Sequence, residues 1–171
     1  MGLLSVIVPS YNEEDNIALA ARTVAQILHD AEIPYEILFV DDGSRDKTYA
    51  RICEESRENP KVRGLSFSRN FGKEASIFAG LRSCRGECCV VIDCDLQHPP
   101  EKIVEMYRLW QEGYEVVEGI KSSRGKESPV HTFAASCFYK LIGSATGFDM
   151  SRASDFKLLD RKAVNVLLNM K

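Results

Sequence analysis

Residues 88–97 read CCVVIDCDLQ, an apolar run of five residues followed by two aspartates that one residue separates. A short run without charged residues is typical of a strand that a parallel sheet buries on both faces. A similar arrangement, a β-rich run closed by polar residues, occurs three times earlier in the chain. These runs lie at residues 3–8, 35–40 and 62–67, and their polar endings read PSYNE, DDGS and SRN. The repeated arrangement predicts a sheet of parallel strands.

Segments with helical spacing separate these runs and predict the connections between the strands. They lie at residues 14–30, 46–58, 73–84 and 99–110, and a fifth strand is expected at residues 115–120. Strands that alternate with helices in this way form open α/β sheets with right-handed crossovers. We therefore predict a Rossmann-like α/β fold, with an open, mostly parallel sheet and helices on both faces.

The pattern changes after residue 120. A polar, cationic segment, a helix, a strand and a last helix are expected at residues 121–128, 129–142, 153–159 and from Arg161 onward. The last helix has no end signal before Lys171, so we expect the chain to be part of a longer protein. We divide the chain into a core, residues 1–120, and a segment continuous with it, residues 121–171, within a single domain.

Composition excludes several classes of protein. The chain has 171 residues and a formal net charge of −3, so it lacks the excess of positive charge that a nucleic-acid partner requires. Its six cysteines include no Cys-x-x-Cys pair, which predicts buried free thiols in a reducing compartment. No stretch reaches the roughly 18 apolar residues of a membrane-spanning helix, and the apolar N-terminal run is too short for a signal peptide.

The polar endings of the four runs are expected to meet. In an open parallel sheet, ligands bind outside the carboxyl ends of the strands, and all four endings occupy such positions. Asp93 and Asp95 repel each other unless a cation lies between them, and on an extended segment they project to the same face. Mg²⁺ and Mn²⁺ prefer such oxygens and keep water and substrate phosphates as further ligands. The sequence therefore predicts a site for Mg²⁺ or Mn²⁺.

Two other motifs help to define the ligand. Asp41 and Asp42 follow the second run, where one acid could contact a base or ribose while the other forms the turn that Asp-Gly favours. The chain lacks Gly-x-Gly-x-x-Gly after its first run and lacks Gly-x4-Gly-Lys-Ser/Thr altogether. Dehydrogenase and P-loop functions are therefore disfavoured.

Five strings in the chain resemble family 2 glycosyltransferases, and they occur in that family's order. They read VIVPSYNEEDNI, EILFVDDGSRDKT, FSRNFGKEASIFAGL, VVIDCDLQHPPEKI and ASDFKLLDRKAV. Within the family, the chain is most similar to the polyprenyl-phosphate glycosyltransferases, the group that includes dolichyl-phosphate mannose synthase and bactoprenol glucosyltransferase. One departure is visible, because His98 stands where the family usually has aspartate. That difference bears on metal affinity and on the response to pH.

The resemblance implies a GT-A fold and assigns roles to individual residues. Positions that match the family's donor-binding residues are Pro9, Tyr11, Asn12, Glu13, Asp41, Lys73, Asp93 and Gln97. Asp93 and Asp95 match its metal motif, and Lys121 and Arg124 match a basic loop that holds the lipid phosphate. Asp155 matches an acid near the reacting centre. We expect Asp95, Arg124 and Asp155 to be the catalytic residues.

The reaction that the resemblance implies is an inverting hexosyl transfer. The donor is a nucleoside-diphosphate sugar of the UDP-glucose or GDP-mannose type, and the acceptor is a polyprenyl phosphate of the bactoprenol or dolichol type. Members of this group carry membrane helices beyond the catalytic domain. The full-length protein is therefore expected at the cytoplasmic face of a membrane, where it could form a homo-oligomer, with the present chain as its soluble part.

Three alternatives remain open at this stage. A family 2 enzyme could act on a hydroxyl of a polysaccharide or cell-surface glycan, in which case Asp155 would be the general base. A non-catalytic module could bind the nucleotide sugar without turnover. A phospho-acceptor receiver domain also has paired acids at a strand end, but it fits the Asp-Cys-Asp-Leu-Gln string and residues 121–171 poorly.

Overall fold

The structure is a computed structural model that describes residues 1–119 and 156–170. The strands in these residues are β1 (Leu4–Ser10), β2 (Tyr35–Asp41), β3 (Val62–Ser66), β4 (Cys88–Val91), β5 (Val116–Glu118) and β6 (Lys157–Asp160). The helices are α1 (Ile17–Asp30), α2 (Thr48–Glu58), α3 (Lys73–Ser83), α4 (Lys102–Gln111) and α5 (Arg161–Asn169). Helices and strands alternate from β1 to β5, as the sequence predicts.

One six-stranded sheet joins these strands in the order β3-β2-β1-β4-β6-β5. The pairs β1–β2, β1–β4 and β2–β3 are parallel, whereas β6 is antiparallel to both β4 and β5. The predicted mostly parallel α/β sheet is confirmed. Strand β6, from the end of the chain, lies between β4 and β5, a position that the order of the sequence patterns did not indicate.

Helices cover both faces of the sheet, which explains why most residues of its central strands are apolar. Alternate side chains of β1 enter opposite cores, with Leu4, Val6 and Val8 on one face and Ile7 on the other. Helices α1, α2 and α4 pack on the first face, and α3 and α5 on the second. Helix α3 lies close to the sheet, because a Cβ at Gly80 would be only 2.4 Å from Ile7 Cγ2.

Three helices begin later than the sequence pattern indicates; α4 begins at Lys102 rather than at Pro99, and side chains hold the residues before α1 and α2 in loops. Helix α1 begins at Ile17 and α2 at Thr48, rather than at Glu14 and Asp46. Glu14 N donates to Asp46 Oδ2 at 3.2 Å, and Lys47 N donates to Glu14 Oε2 at 2.8 Å. Asp46 Oδ1 also accepts a hydrogen bond from Thr48 N at 2.9 Å. These bonds tie together the loops that precede both helices.

The last helix corrects one expectation about the end of the chain. Helix α5 ends at Asn169, and Met170 adopts an extended conformation with φ −67° and ψ 125°. The expectation that this helix still runs at Lys171 is therefore wrong.

Three predicted segments lie wholly or partly outside the described residues. They are the polar segment 121–128, the helix expected at 129–142 and the first part of the strand expected at 153–159. The division at residue 120 stays a prediction.

The thiols in the described part of the chain are free, as the sequence predicts. Four of them, Cys84, Cys88, Cys89 and Cys94, are buried, and Cys53 is partly buried. Among the described residues, no helix has both the length and the apolar character needed to cross a membrane.

Candidate functional site

The loops that follow β1 and β2 are joined by hydrogen bonds at the carboxyl edge of the sheet. Asn12 N donates to Ser44 Oγ at 2.9 Å, and Arg45 N donates to Asn12 Oδ1 at 3.0 Å. Glu13 N donates to Thr48 Oγ1 at 2.8 Å. Asn12 has φ 54°, a left-handed conformation that asparagine adopts more readily than most residues. The two loops therefore form one ordered rim above the parallel strands.

Two of the predicted donor-binding residues differ sharply in exposure. Pro9 is buried within β1 and pairs with Val40 of β2, so it shapes the strand rather than presenting a polar group. Tyr11 is 41% exposed at the rim and can offer its ring to a ligand. Their contacts with a donor stay a prediction.

Asp41, at the end of β2, is almost fully buried and holds two neighbouring segments. Its Oδ1 accepts a hydrogen bond from Ser44 N at 3.0 Å, and its Oδ2 accepts one from Ser66 Oγ at 2.7 Å. Each carboxylate oxygen can accept a second hydrogen bond, so these contacts leave acceptor capacity for a base or ribose. The donor contact assigned to Asp41 stays a prediction.

Asp42 has a role that the sequence did not reveal. It is 3% exposed, and its two oxygens accept hydrogen bonds from Phe71 N at 2.7 Å and Gly72 N at 2.9 Å. Gly72 has φ 100° and directly precedes Lys73 at the start of α3. Asp42 thereby fixes the backbone that presents Lys73 to the site. The only signal in the sequence is the acid pair itself, which does not say which acid faces inward.

Lys73 and Asp93 meet at the rim from different elements. Lys73 begins α3, Asp93 follows β4, and Lys73 Nζ lies 2.7 Å from Asp93 Oδ1. The side chains are 39% and 31% exposed, so solvent and a ligand can reach both. The structure thus brings together two residues that the sequence assigned separately to the donor and to the metal.

The segment that carries Asp93 and Asp95 is a turn rather than an extended strand. Strand β4 ends at Val91, and Leu96 N donates to Asp93 O at 3.2 Å. Gln97 N donates to Asp95 Oδ1 at 3.2 Å, so the exposed Asp95 carboxylate shapes the same turn. The expectation that an extended backbone places both acids on one face is wrong. The turn, and not strand pleating, sets where the two carboxylates lie.

Cys94, between the two aspartates, is 3% exposed. Burial raises the pKa of its thiol to about 12, helped by the charges of Glu13, Asp95 and Asp93 and opposed by a hydrogen bond with Ser10. Cys94 is therefore a neutral thiol at physiological pH. Since the thiolate is the form that binds metals, the groups of this turn that suit a metal are the carboxylate oxygens of Asp93 and Asp95.

The two carboxylates fit a small divalent cation with hard-oxygen preference. Among residues 1–119 and 156–170, no group of three or more His, Cys, Asp or Glu side chains is placed to enclose a metal. Mg²⁺ is commonly held by one or two carboxylates, with water and substrate phosphates as its other ligands. Asp93 already accepts the cationic Lys73 ammonium, which shows that its carboxylate suits a positive partner. The donor set therefore fits Mg²⁺ or Mn²⁺ bound together with a diphosphate.

Arg69 and Phe71 also lie at the rim, although the sequence assigned neither a role. The Arg69 guanidinium lies 4.8 Å from the centroid of the Phe71 ring, and Phe67 meets that ring edge-on with centroids 5.6 Å apart. Phe71 is 53% exposed.

The residues that the sequence assigns to the acceptor and the reacting centre lie outside the described residues. They are Lys121, Arg124 and Asp155. Their roles stay predictions.

Known proteins resemble this chain over nearly its whole length. The family model described as "Glycosyl transferase family 2" matches residues 5–167. A curated relative from Synechocystis sp., described as an uncharacterized glycosyltransferase, is 41% identical over 165 residues, which cover 96% of this chain and 52% of the relative. The bactoprenol glucosyl transferase of Shigella phage SfV is 36% identical over 162 residues, which cover 94% of this chain and 53% of that protein. The chain thus spans about half the length of the curated relatives it matches.

A solved structure supports the fold. The mannosyltransferase from Pyrobaculum calidifontis, in complex with GDP-Man and Mn²⁺, superposes with a TM-score of 0.65 at 18% identity. The match covers 97% of this chain and 46% of that one. At this identity the likeness bears on the fold alone, and it agrees with the predicted GT-A architecture.

Proposed function

This chain belongs to glycosyl transferase family 2, and we propose that it transfers a hexose from a nucleoside-diphosphate sugar to a polyprenyl phosphate, with inversion. The observation that carries the proposal is the 36% identity to a bactoprenol glucosyl transferase over 94% of this chain. The paired carboxylates and Lys73 at the carboxyl edge of the sheet supply groups that suit a diphosphate donor. A protein of the same fold, the Pyrobaculum calidifontis mannosyltransferase, has been solved in complex with GDP-Man and Mn²⁺, so the fold is compatible with a donor and a metal of the proposed classes.

Asp93, Asp95 and Lys73 form the donor end of the proposed site. The carboxylates would hold Mg²⁺ or Mn²⁺, which supplies positive charge for the leaving diphosphate. Lys73 contributes a second positive charge, because its ammonium can move from Asp93 to a phosphate oxygen while remaining at the start of α3. Asn12, Glu13 and Asp41 would bind the nucleoside, and Gln97 would lie near the metal. These groups act mainly by positioning and by electrostatic stabilisation.

The family resemblance assigns Lys121, Arg124 and Asp155 to the acceptor end of the proposed site. A phosphate oxygen of the lipid attacks the anomeric carbon from the face opposite the leaving group, and the nucleoside diphosphate departs. Lys121 and Arg124 would hold that phosphate, and the planar guanidinium of Arg124 suits bidentate recognition. The nucleophile is already anionic near neutral pH, so Asp155 orients the acceptor and need not remove a proton.

The proposed location follows from the acceptor. A polyprenyl phosphate resides in a membrane, and nucleotide sugars are made in the cytosol, so the reaction belongs at the cytoplasmic face. The membrane-associated part of the protein and any homo-oligomer are part of this proposal.

A second function keeps the donor site and changes the acceptor to a sugar hydroxyl of a glycan. A hydroxyl must lose its proton during attack, so Asp155 would then be a general base. In that case Asp155→Asn would abolish transfer. With a phosphate acceptor the same substitution would leave partial activity.

Titration calorimetry of UDP-glucose and GDP-mannose, each with and without Mn²⁺, tests the donor site. The full-length protein with undecaprenyl phosphate as acceptor then tests the transfer. We expect one nucleotide sugar to bind only with metal, and Asp95→Ala to lose that binding. Asp30→Ala is the matched control, because Asp30 ends α1 and is exposed. Metal-independent binding, or transfer only to glycan hydroxyls, would contradict the proposal.

A further inference from the structure

His98 follows the turn that carries Asp93 and Asp95, and its imidazole stacks on a buried ring. The ring centroids of His98 and Phe156 are 5.2 Å apart and their planes differ by 19°. We propose that His98 is a positioning residue of the transferase site, whose stack on Phe156 fixes the Asp93–Asp95 turn against the sheet. This inference rests on the proposed function, because it assumes that the turn binds the metal and the donor.

Phe156 is a fixed anchor for that stack. It is 2% exposed and belongs to the same core as Ile92 and Cys94. Its carbonyl oxygen accepts a hydrogen bond from Gly119 N at 2.9 Å. A Cβ at residue 119 would lie 2.4 Å from Phe156 Cδ1, so glycine is what lets the ring lie against this backbone. Backbone and core together therefore hold the ring from the side of the sheet.

Other contacts hold the first half of the turn, because Lys73 Nζ lies 2.7 Å from Asp93 Oδ1 and Cys94 is buried in the core. The turn's two local hydrogen bonds, Leu96 N to Asp93 O and Gln97 N to Asp95 Oδ1, are each 3.2 Å long. Leu96 has φ 52°, a left-handed conformation that is unfavourable for leucine. The second half of the turn is therefore strained at Leu96, and a contact from outside the turn favours one arrangement of it. The stacked rings supply such a contact two residues after Leu96.

The stack also connects the two ends of the proposed site. Phe156 lies one residue before β6, and β6 pairs with β4 as far as Lys157 opposite Val91. In the sequence, Phe156 directly follows Asp155, the acid assigned to the reacting centre. His98 thus joins the metal-binding turn to the residue that adjoins Asp155. Loss of precise geometry at a reacting centre can lower rates by about 100-fold for a 1 Å displacement.

The flat ring of the side chain is what the proposed role requires. His98→Phe keeps a ring that can stack, His98→Ala removes it, and His98→Asp introduces the residue usual in the resembled family. His29→Ala is the matched control, because this exposed histidine lies in the last turn of α1. Hydrogen–deuterium exchange of the peptide that covers residues 92–98, measured without ligand, tests whether the stack holds the turn independently of metal or donor binding. Mn²⁺ affinity and the kcat and KM for the nucleotide sugar report its consequence.

We expect His98→Ala and His98→Asp to speed exchange in this peptide and to lower kcat about tenfold, with a smaller change in KM. His98→Phe and His29→Ala should match the wild type in exchange and stay within about twofold of its kcat. Unchanged exchange in His98→Ala, or a His98→Phe variant as impaired as His98→Ala, would overturn the inference. If the wild type shows neither metal-dependent binding nor turnover, the proposed function is overturned. The exchange data would still test whether the His98–Phe156 stack holds the turn.

Discussion

Lys73 and Asp93 attract each other across 2.7 Å at the rim of the sheet, and both remain open to solvent. A divalent cation at Asp93 competes with the Lys73 ammonium for the same carboxylate. A bound diphosphate would end this competition, because its oxygens can accept hydrogen bonds from the Lys73 ammonium while the cation binds the Asp93 carboxylate. In the proposed function, the pair would therefore couple metal binding to donor binding through one side chain.

Replacing Lys73 with methionine should separate these two effects. We expect Lys73→Met to bind Mn²⁺ alone more tightly than the wild type, since the competing charge is gone. The affinity for the nucleotide sugar with Mn²⁺ should fall by about tenfold or more, because a charge-assisted contact of roughly 1.5–3 kcal/mol is lost. Calorimetry measures both affinities. Lys102→Met is the control, since the exposed Lys102 forms a salt bridge with Glu105 within α4. Weaker binding of Mn²⁺ alone to Lys73→Met would refute the coupling.

Asp42 illustrates how a buried acid can serve a binding site without touching the ligand. Its two oxygens hold Phe71 N and Gly72 N, directly before Lys73. We expect Asp42→Asn to lower the free energy of unfolding by about 1–3 kcal/mol, because an amide has one acceptor oxygen for the two N–H groups that the buried carboxylate accepts. Urea unfolding measures the change. Asp30→Asn at an exposed position should cost far less, and equal losses would show that the two hydrogen bonds contribute nothing special.

At the scale of elements, a buried carboxylate joins three strands and a loop at the amino edge of the sheet. Glu36 of β2 accepts hydrogen bonds from Ser5 Oγ of β1 at 2.7 Å, Arg63 Nη1 of β3 at 2.7 Å and Arg85 N at 2.6 Å. Burial raises the pKa of Glu36, but these hydrogen bonds and the Arg63 charge outweigh it and leave the pKa below its ordinary value. One ionised side chain, Glu36, thus links neighbouring strands at the sheet edge opposite the candidate site.

The depressed pKa of Glu36 makes this part of the stability depend on pH. The stabilisation is complete above the unfolded-state pKa, near 4.3, and is lost as the pH falls through the lower folded-state pKa. Glu36→Gln should lower the free energy of unfolding at pH 7 by about 3 kcal/mol, since it leaves Arg63 without its partner. Urea unfolding at several pH values should show the difference shrinking below about pH 4. A difference independent of pH would mean that packing, not charge, is lost.

At the scale of the whole molecule, Arg161 helps to attach the C-terminal part of the chain to the residues between α3 and β4. Arg161, at the start of α5, donates from its guanidinium to Gly86 O and to Cys84 O, and its Nη2 lies 3.3 Å from Cys84 Sγ. Trp110 Nε1 also donates to Asp160 Oδ2 at 2.7 Å, which ties α4 to β6. These contacts connect residues after 155 to the core and carry Phe156 into place.

Arg161→Met should loosen this connection and change the chemistry of Cys84. A hydrogen bond from Cys89 is the main cause that lowers the pKa of the Cys84 thiol below its ordinary value, and the hydrogen bond and charge of Arg161 act in the same direction, against the effect of burial. Without the guanidinium, that pKa should rise, and the free energy of unfolding should fall by about 2 kcal/mol as Cys84 O and Gly86 O lose a donor.

Alkylation by iodoacetamide as a function of pH, followed by mass spectrometry, measures the change at Cys84, with Cys53 as the internal reference. Arg82→Met, which removes an arginine from the last turn of α3, is the control for stability. An unchanged alkylation profile at Cys84 in Arg161→Met would show that Arg161 does not interact with the thiolate.

The sequence by itself determined the α/β fold, the apolar strands and the edge of the sheet at which the polar residues gather. Residues 88–92 are apolar, as expected of a strand covered on both faces, and Asp93 and Asp95 follow at the strand end, beyond which ligand sites in such sheets lie. Both features repeat over a few neighbouring residues, so a local pattern is enough to predict them. The five family strings identified the family for the same reason, since each is a short local motif.

The tertiary structure alone decided how distant residues pair. It placed β6 between β4 and β5, joined Lys73 to Asp93, turned Asp42 toward the loop before α3, and stacked His98 on Phe156. It also replaced the expected extended Asp93–Asp95 segment with a turn. Each of these contacts depends on packing between elements or on competition among hydrogen-bond partners. No local periodicity encodes such choices, because the partner of each residue is fixed only when the whole sheet and its helices come together.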